Sequence, residues 1–336
     1  MKEIEIVLAS NDPVLYQSYS NSMISKLTWH DSRYCTSSIN YYRQRAEDLG
    51  HYIIDKSLVI VWEQRPIFQL VGFMQQESDH NIFSVGELPA ILLETASLSI
   101  AQKKYISNYL DQLINENAAL YRFIDNMHGG IIQYSSEHIL RKFNFQASYL
   151  YNRLTDLKAS EETIKRSIRK SFHSLINWGL RELDIKIYDG SNINIDIIND
   201  FMSLHVEAAG YQTRSYNTWL KQYHSILHDE AFVIAGRLDN QLVTAGYFIM
   251  ANRHCYYGVS ASKRSMFSKP LFHAIMWKAI VHAKNNGCLT FDSGSDYPTV
   301  CGLPFTVSKK ELDIAKFKSG FGGYLKPSLT LFSHEC

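Results

Sequence analysis

Long apolar runs are missing from this chain. No segment approaches the roughly 20 residues of a membrane span, and the start, MKEIEIVLASNDP, lacks the cationic head, apolar stretch and cleavage site of a secretory leader. A cytoplasmic protein with no membrane partner is therefore expected. Cysteine is scarce and odd in number, five residues at 35, 255, 288, 301 and 336, with no CxxC pair and no histidine at zinc-ligand spacing. Free thiols are expected, with neither a disulfide framework nor a structural metal. An excess of either charge is missing too: 34 basic residues face 33 acidic ones, so no global field draws the protein to nucleic acid or an anionic surface. A local basic patch stays compatible with that balance. No GxSxG elbow, P-loop or HExxH occurs, and the 13 histidines are scattered. His254 and Cys255 adjoin on a predicted strand, where consecutive side chains face opposite sides, so they form no nucleophile and base pair.

What is present describes a globular protein. The chain has 336 residues, 46% of them hydrophobic, more than one core usually organises, so two domains are the first expectation. Its 21 tyrosines suit pockets that use an apolar body and a hydroxyl together. Residues 2–8 alternate polar and apolar as a half-buried strand does, and helix-like segments follow. Strands are predicted at 57–63 and 67–75, paired through Gln64, Arg65 and Pro66. A helix at 99–117 leads into the strand ALYRFID, and a short helix and an alternating strand fill 137–157. A helix over 160–177, capped by Ser160 and closing on Gly179, links the halves. The second half reads as helices at 195–209 and 216–227, strands at 231–238 and 241–250 turning at Asp239 and Asn240, the strand HCYYGVSAS, a helix at 270–285, a strand at 288–292 and a terminal strand near 327–332.

That order, helices, antiparallel strands, a helix and a last strand, is similar to the GNAT fold, and the first half shows it less clearly. The expected class is α/β (α+β): two GNAT-like domains, residues 1–157 and 158–336, each a mixed, largely antiparallel sheet flanked by helices. No short tandem repeat is visible, so the duplication is one of architecture.

The most informative stretch is Tyr256 to Gly323. The strand ending near Ser260 delivers a polar loop to the N-terminus of the helix at Pro270, where unpaired N–H groups can hold an anion or a developing oxyanion, or where a plain helix cap joins two core elements. Candidate contacts are Tyr257, Ser260, Asp292 and Ser295 for substrate, and Ser262, Lys263 and Lys269 for a coenzyme. A second cluster, Thr213, Arg214 and Ser215, precedes the helix at 216. Arg214 can fork onto a phosphate, or Ser215 can simply cap the helix with Arg214 on the surface. In the first half, Ser84, Glu87 and Glu94 lie in or near FSVGELPAILLET, with Glu94 just after an apolar run, either inside a cleft or as a surface or helix-terminal acid.

The segments KAIVHAKNNGCLTFDSG and KFKSGFGG, the linker LTDLKASEETIKRSIRKSF and the strand ALYRFID together resemble the FemABX family from about Leu120 onward. The resemblance implies amide formation between an acyl donor and an amine. It implies that Phe317 and Lys318 lie near the donor, with the ammonium facing the carbonyl oxygen, and that Asp125 is an acidic residue at the acceptor, although Asn126 stands where many members have proline. Amide formation needs a neutral amine, which makes Asp125, Glu87 and Glu94 candidate bases. The leading expectation is an N-acyltransferase moving an acyl group from a coenzyme A thioester, a co-substrate rather than a resident cofactor, to a nucleotide-linked amino sugar. The loop SKRSMFSKP has no glycine where GNAT acetyltransferases have a glycine-rich one. The alternatives are therefore an aminoacyl-tRNA-dependent ligase of cell-wall precursors, the only case with a nucleic-acid partner, and a non-catalytic binding protein. Acyl group, acceptor and oligomeric state, monomer or dimer, stay open.

Overall fold

The computed structural model describes residues 3–76, 80–116, 119–298 and 306–333. Cys301 and Cys336 lie outside them, and Cys35, Cys255 and Cys288 are buried free thiols. Nine strands form in the first half: β1 (Ile4–Leu8), β2 (Tyr52–Asp55), β3 (Leu58–Trp62), β4 (Arg65–Val71), β5 (Phe73–Gln76), β6 (Asn81–Ser84), β7 (Ala90–Glu94), β8 (Ala119–Asp125) and β9 (Gln146–Asp156). The second half adds β10 (Asp184–Tyr188), β11 (Ala231–Leu238), β12 (Gln241–Ala251), β13 (His254–Ser262), β14 (Thr290–Asp296) and β15 (Tyr324–Phe332). Hydrogen bonds join them into one continuous sheet in the order β1-β3-β4-β7-β8-β15-β9-β14-β13-β12-β11-β10, with β2, β5 and β6 attached through β8.

The two halves share one pattern. In the first, β3, β4 and β7 are antiparallel and β7 meets β8 in parallel, the crossover being the helix Ile100–Glu116. In the second, β11, β12 and β13 are antiparallel and β13 meets β14 in parallel through the helix Leu271–Asn285. A parallel pair needs such a crossover, because its ends lie at opposite edges of the layer. Both parallel pairings are brief. That of β13 and β14 covers only His254–Tyr256 against Thr290–Asp292, so the strands splay beyond Tyr256.

The terminal strand β15 lies between β8 and β9, antiparallel to both, and β9 in turn pairs with β14. The last strand thus completes the sheet beside first-half strands. Two other expectations change. The linker forms two helices, Glu161–Ser167 and Lys170–Glu182, because Ile168 turns into the core in an extended conformation and the Arg169 N–H donates to the Gly320 carbonyl at 2.8 Å. Ser160 caps the first as expected, but Gly179 ends nothing: a Cβ there would stand 2.6 Å from that of Ala274, so glycine serves close helix packing. The strand expected at 288–292 runs instead from Thr290 to Asp296, through an irregularity at Gly294, whose φ is +90°.

Separate cores sit on the sheet. The helices Ile100–Glu116 and Tyr134–Phe143 bury Ile106, Leu110 and Ile139 against Phe68, Phe83 and Phe123. In the second half Lys170–Glu182 and Leu271–Asn285 cover one face through Ile176, Ile275 and Ile280. The helices Ile195–Ala209 and Tyr216–Leu227 cover the other through Phe201 and Trp219. No helix among the described residues is long and apolar enough to cross a membrane.

Candidate active site

Where β13 leaves β14, its remaining residues border a groove of about 1060 Å³. Seven of the sequence-derived candidates line it: Thr213, Arg214, Tyr257, Ser260, Ser262, Lys269 and Phe317. They come from four separate segments, and the splayed strand is what brings them together. The groove is cationic. Arg214, Arg264, Lys269, Lys309 and Lys310 line it, against the single carboxylate of Asp313, so a nearly neutral chain presents one strongly basic surface. The Arg214 guanidinium stacks over Trp219 at 5.1 Å, and its Nε and Nη1 atoms are buried without a hydrogen-bond partner among the described residues. Burial, helped by Arg214, pushes the neighbouring His205 down to about 4, so this imidazole is neutral at pH 7.

Aromatic residues form part of the groove wall. Phe317 packs among Phe172, Phe272, His273 and Phe321. Tyr257 hydrogen-bonds Ser260, and burial pushes its hydroxyl up to about 12. The Lys318 ammonium lies over the Tyr257 ring at 5.6 Å and occupies the space a side chain at Gly294 would fill, 2.7 Å from the position of such a Cβ. Burial pulls its pKa down, while Asp292 and Asp296 oppose that shift. A partly desolvated cation against Tyr257, a residue of the groove wall, can meet negative charge that develops on a ligand.

Three candidates stand apart from the groove lining. Ser215 caps Tyr216–Leu227, accepting from the Thr218 N–H at 3.1 Å, and its hydroxyl donates to Asp48 of the first half. The Lys263 backbone N–H donates to Val243, and its side chain is not part of the lining. Ser295 is exposed on β14 opposite Asn152.

The first-half candidates are not gathered with Lys318. The Asp125 carboxylate accepts from the N–H groups of Met127 at 2.8 Å and Gln133 at 2.7 Å, and from the Gln133 side chain at 3.0 Å, which makes it the anchor of the loop after β8. Glu94 accepts from the N–H groups of Tyr134 at 3.0 Å and Ser135 at 2.6 Å, closing the N-terminus of Tyr134–Phe143. Burial raises its pKa against those bonds, and it borders a separate pocket of about 720 Å³. Ser84 is fully buried against Gln75 and the Gly86 carbonyl, and Glu87 pairs with Arg45 on the surface. These contacts explain the four residues through backbone and local satisfaction.

The fourth remaining candidate, Asp292, belongs to a cluster that the sequence reading missed. The run Trp29–Arg33 of the first half is tucked beneath β13. Trp29 stacks on His254 at 4.9 Å, the Ser32 N–H donates to His254 Nδ1 at 3.1 Å, and Arg33 lies over Tyr256 at 4.7 Å. Arg33 also forks onto Asp31 at 3.1 and 2.6 Å. Burial works against the Asp31 charge, but that fork holds its pKa well below the usual carboxylate range. Asp292 itself accepts from the Asn152 amide at 2.7 Å and the Gly294 N–H at 2.6 Å. The only signal in the sequence is the density of polar and aromatic groups in WHDSR, a run without periodicity.

No known family model and no curated protein matches the sequence. Solved structures do match the fold. The crystal structure of FemX superposes with a TM-score of 0.67 at 11% identity, covering 94% of this chain and 95% of that one. A conserved protein of unknown function from Bacteroides thetaiotaomicron gives 0.60 at 10% identity, over 99% and 100% of the two chains. A tandem GNAT protein from the clavulanic acid biosynthesis pathway gives 0.52 at 7% identity, over the full length of both. The fold is the tandem GNAT fold. The FemABX-like reading therefore holds at the level of architecture, in a chain whose identity to these proteins is about one residue in ten.

Proposed function

We propose that the protein is an N-acyltransferase. Its donor, a coenzyme A thioester, lies in the second-half groove with its phosphates on the basic wall and its acyl carbon toward Lys318. The acceptor is the amino group of a nucleotide-linked amino sugar, and the setting is the cytoplasm. The observation that carries this reading is the groove itself: five cationic side chains at its wall, with the largely buried Lys318 ammonium over the ring of its lining residue Tyr257. Phosphate groups match the first feature, and a carbonyl oxygen that gains charge during attack matches the second. The division of the chain at 157/158 into acceptor and donor units is part of the same proposal.

An aminoacyl-tRNA donor also carries phosphates, so the basic wall favours it equally, and the loop Ser262–Pro270 remains without glycine. Ethyl-coenzyme A, an unreactive thioether, separates the two. We expect it to raise the melting temperature of the wild type and to bind Lys309→Ala/Lys310→Ala at least about tenfold more weakly, since each lost phosphate contact is worth roughly 1 kcal/mol or more. Binding of a charged tRNA acceptor stem with a steep salt dependence, and none of the thioether, would replace the lead with the tRNA reading. Binding of ligands without turnover of any thioester would favour the non-catalytic one.

A further inference from the structure

Amide formation by this site, if the acyl-transfer reading holds, requires a place where the acceptor amine waits and loses a proton. Of the first-half carboxylates expected to do this, Asp125 and Glu94 are held by backbone N–H groups and Glu87 is paired with Arg45. A different carboxylate is available. Between β9, β14 and β15 lies a notch of about 20 Å³, bordered by Asp292, Asn152, Trp29, Asn126 and Ser328, with Arg33 and Lys326 at its sides. A space of that size takes one water-sized group, and an –NH3+ head is such a group.

We propose that this notch seats the primary ammonium group of the acceptor, and that the Asp292 carboxylate takes the proton that must leave before the nitrogen attacks. The two cations that border the notch are committed elsewhere. Arg33 is forked onto Asp31, and the Lys326 ammonium donates to the carbonyls of Asn126, Met127 and Pro327 at 2.8, 3.3 and 2.9 Å. The hydrogen-bond donors to Asp292 are both neutral, the Asn152 amide and the Gly294 N–H. His254 Nδ1 accepts from the Ser32 N–H, so the neutral ring carries its proton on Nε2, which stands 3.7 Å from Asp292 and has no hydrogen-bond partner among the described residues. A buried carboxylate without a bonded cation is costly, and a ligand ammonium would supply one. Burial accordingly pushes Asp292 up, against His254 and Arg33, which moves it toward the range of a useful base.

Gly294 connects the notch to Lys318. Gly294, bonded to Asp292 through its N–H, is the residue whose missing side chain leaves room for Lys318. The step balances without a further reactant. Asp292 removes one proton from R–NH3+, and the freed lone pair forms the C–N bond while the carbonyl π electrons move to the oxygen facing Lys318. Collapse of the adduct breaks the bond to the leaving group, which takes the proton now surplus on nitrogen, and Asp292 returns its own proton to water.

Trp29 borders the notch, so its fluorescence reports occupancy. D-glucosamine is the probe, N-acetylglucosamine the control without an ammonium, and ethyl-coenzyme A the separate probe of the groove. In the wild type glucosamine should perturb the emission and bind at least about tenfold more tightly than its acetylated form. Asp292→Asn should erase that preference while ethyl-coenzyme A affinity stays within about twofold, and Trp29→Phe should remove the signal. Should Asp292→Asn fold poorly, wild-type pH dependence decides: glucosamine affinity should fall by up to about tenfold per pH unit below the carboxyl pKa. Asp31, Arg33, His254, Cys255, Tyr256, Lys318 and Tyr324 are charged or titratable groups that also face Asp292. Equal binding of the two sugars by the wild type, or an undiminished preference in Asp292→Asn, overturns the proposal. Loss of ethyl-coenzyme A binding with the sugar preference intact overturns the donor reading instead and supports the ammonium site.

Discussion

Lys318 and Lys316 are two residues apart on the same helical turn and differ in surroundings: Lys316 is exposed, and Lys318 is largely buried with its ammonium over the Tyr257 ring. Removing one donor to a developing oxyanion costs about a hundred- to a thousandfold in turnover, whereas a surface lysine costs little. Lys318→Met should therefore fold normally, bind ethyl-coenzyme A and lose most of its turnover, with Lys316→Met close to wild type. Retention of more than about a third of the turnover by Lys318→Met would mean that the ammonium makes no transition-state contact. A second residue-scale consequence concerns acid. His30 is buried, and desolvation lowers its pKa from 6.5 to about 4, with Asp31 opposing. His128 and His254 are lowered by burial as well. The unfolded chain thus binds more protons than the folded one between about pH 6.5 and about pH 4, so stability falls as pH drops through that window. His30 alone contributes about 3 kcal/mol. Urea midpoints measured from about pH 7.5 to about pH 4.5 should fall steadily, and His30→Gln should flatten the slope; a flat wild-type profile would mean these rings are not held neutral.

At the scale of elements, the terminal strand β15 is the one whose placement matters most. Its entry is set by Gly323, which has φ of +80° and whose added Cβ would lie 2.4 Å from the Leu154 carbonyl oxygen. That oxygen belongs to β9 backbone, which cannot swing away as a side-chain tip does. Gly323→Ala should cost at least about 2 kcal/mol, read as a lower urea midpoint. Gly210 has φ of +86° and open space around it, so Gly210→Ala carries only the strain of the left-handed backbone, about 1 kcal/mol. Equal costs at the two positions would show that the contact with β9 is loose. The linker teaches a related lesson. Its composition reads as one helix, and a single backbone bond from Arg169 to Gly320, remote in sequence, divides it.

At the scale of the molecule, one sheet runs through both halves, and the strand β15 is bonded on both sides to first-half strands while β14 is bonded to β9. The Trp29–Arg33 run adds buried contacts between first-half residues and β13. Opening either half breaks bonds that the other needs, so unfolding should be a single transition. Variants retaining only Trp62 or only Trp277 should report the same urea midpoint. Two separated midpoints would mean that the halves are stable independently.

Local order was legible because it depends on neighbours in the chain. The helices Ile195–Ala209 and Tyr216–Leu227 follow from apolar spacing and from Asn194 and Ser215 at their starts, and β11 and β12 turn at Asp239 and Asn240, both with positive φ. The groove was half legible, because Arg214, Tyr257, Lys269 and Phe317 sit in segments whose types mark them, while Arg264, Lys309 and Lys310 look like any surface cations until β13 splays. The tertiary structure alone decided three things: which strands flank β15, which partners hold each candidate carboxylate, and that Ser32 meets His254 across 222 residues. The physical reason is the same in each case. Backbone hydrogen bonds between strands carry no residue identity, and a buried polar cluster assembled from distant segments leaves no period in the sequence for the eye to find.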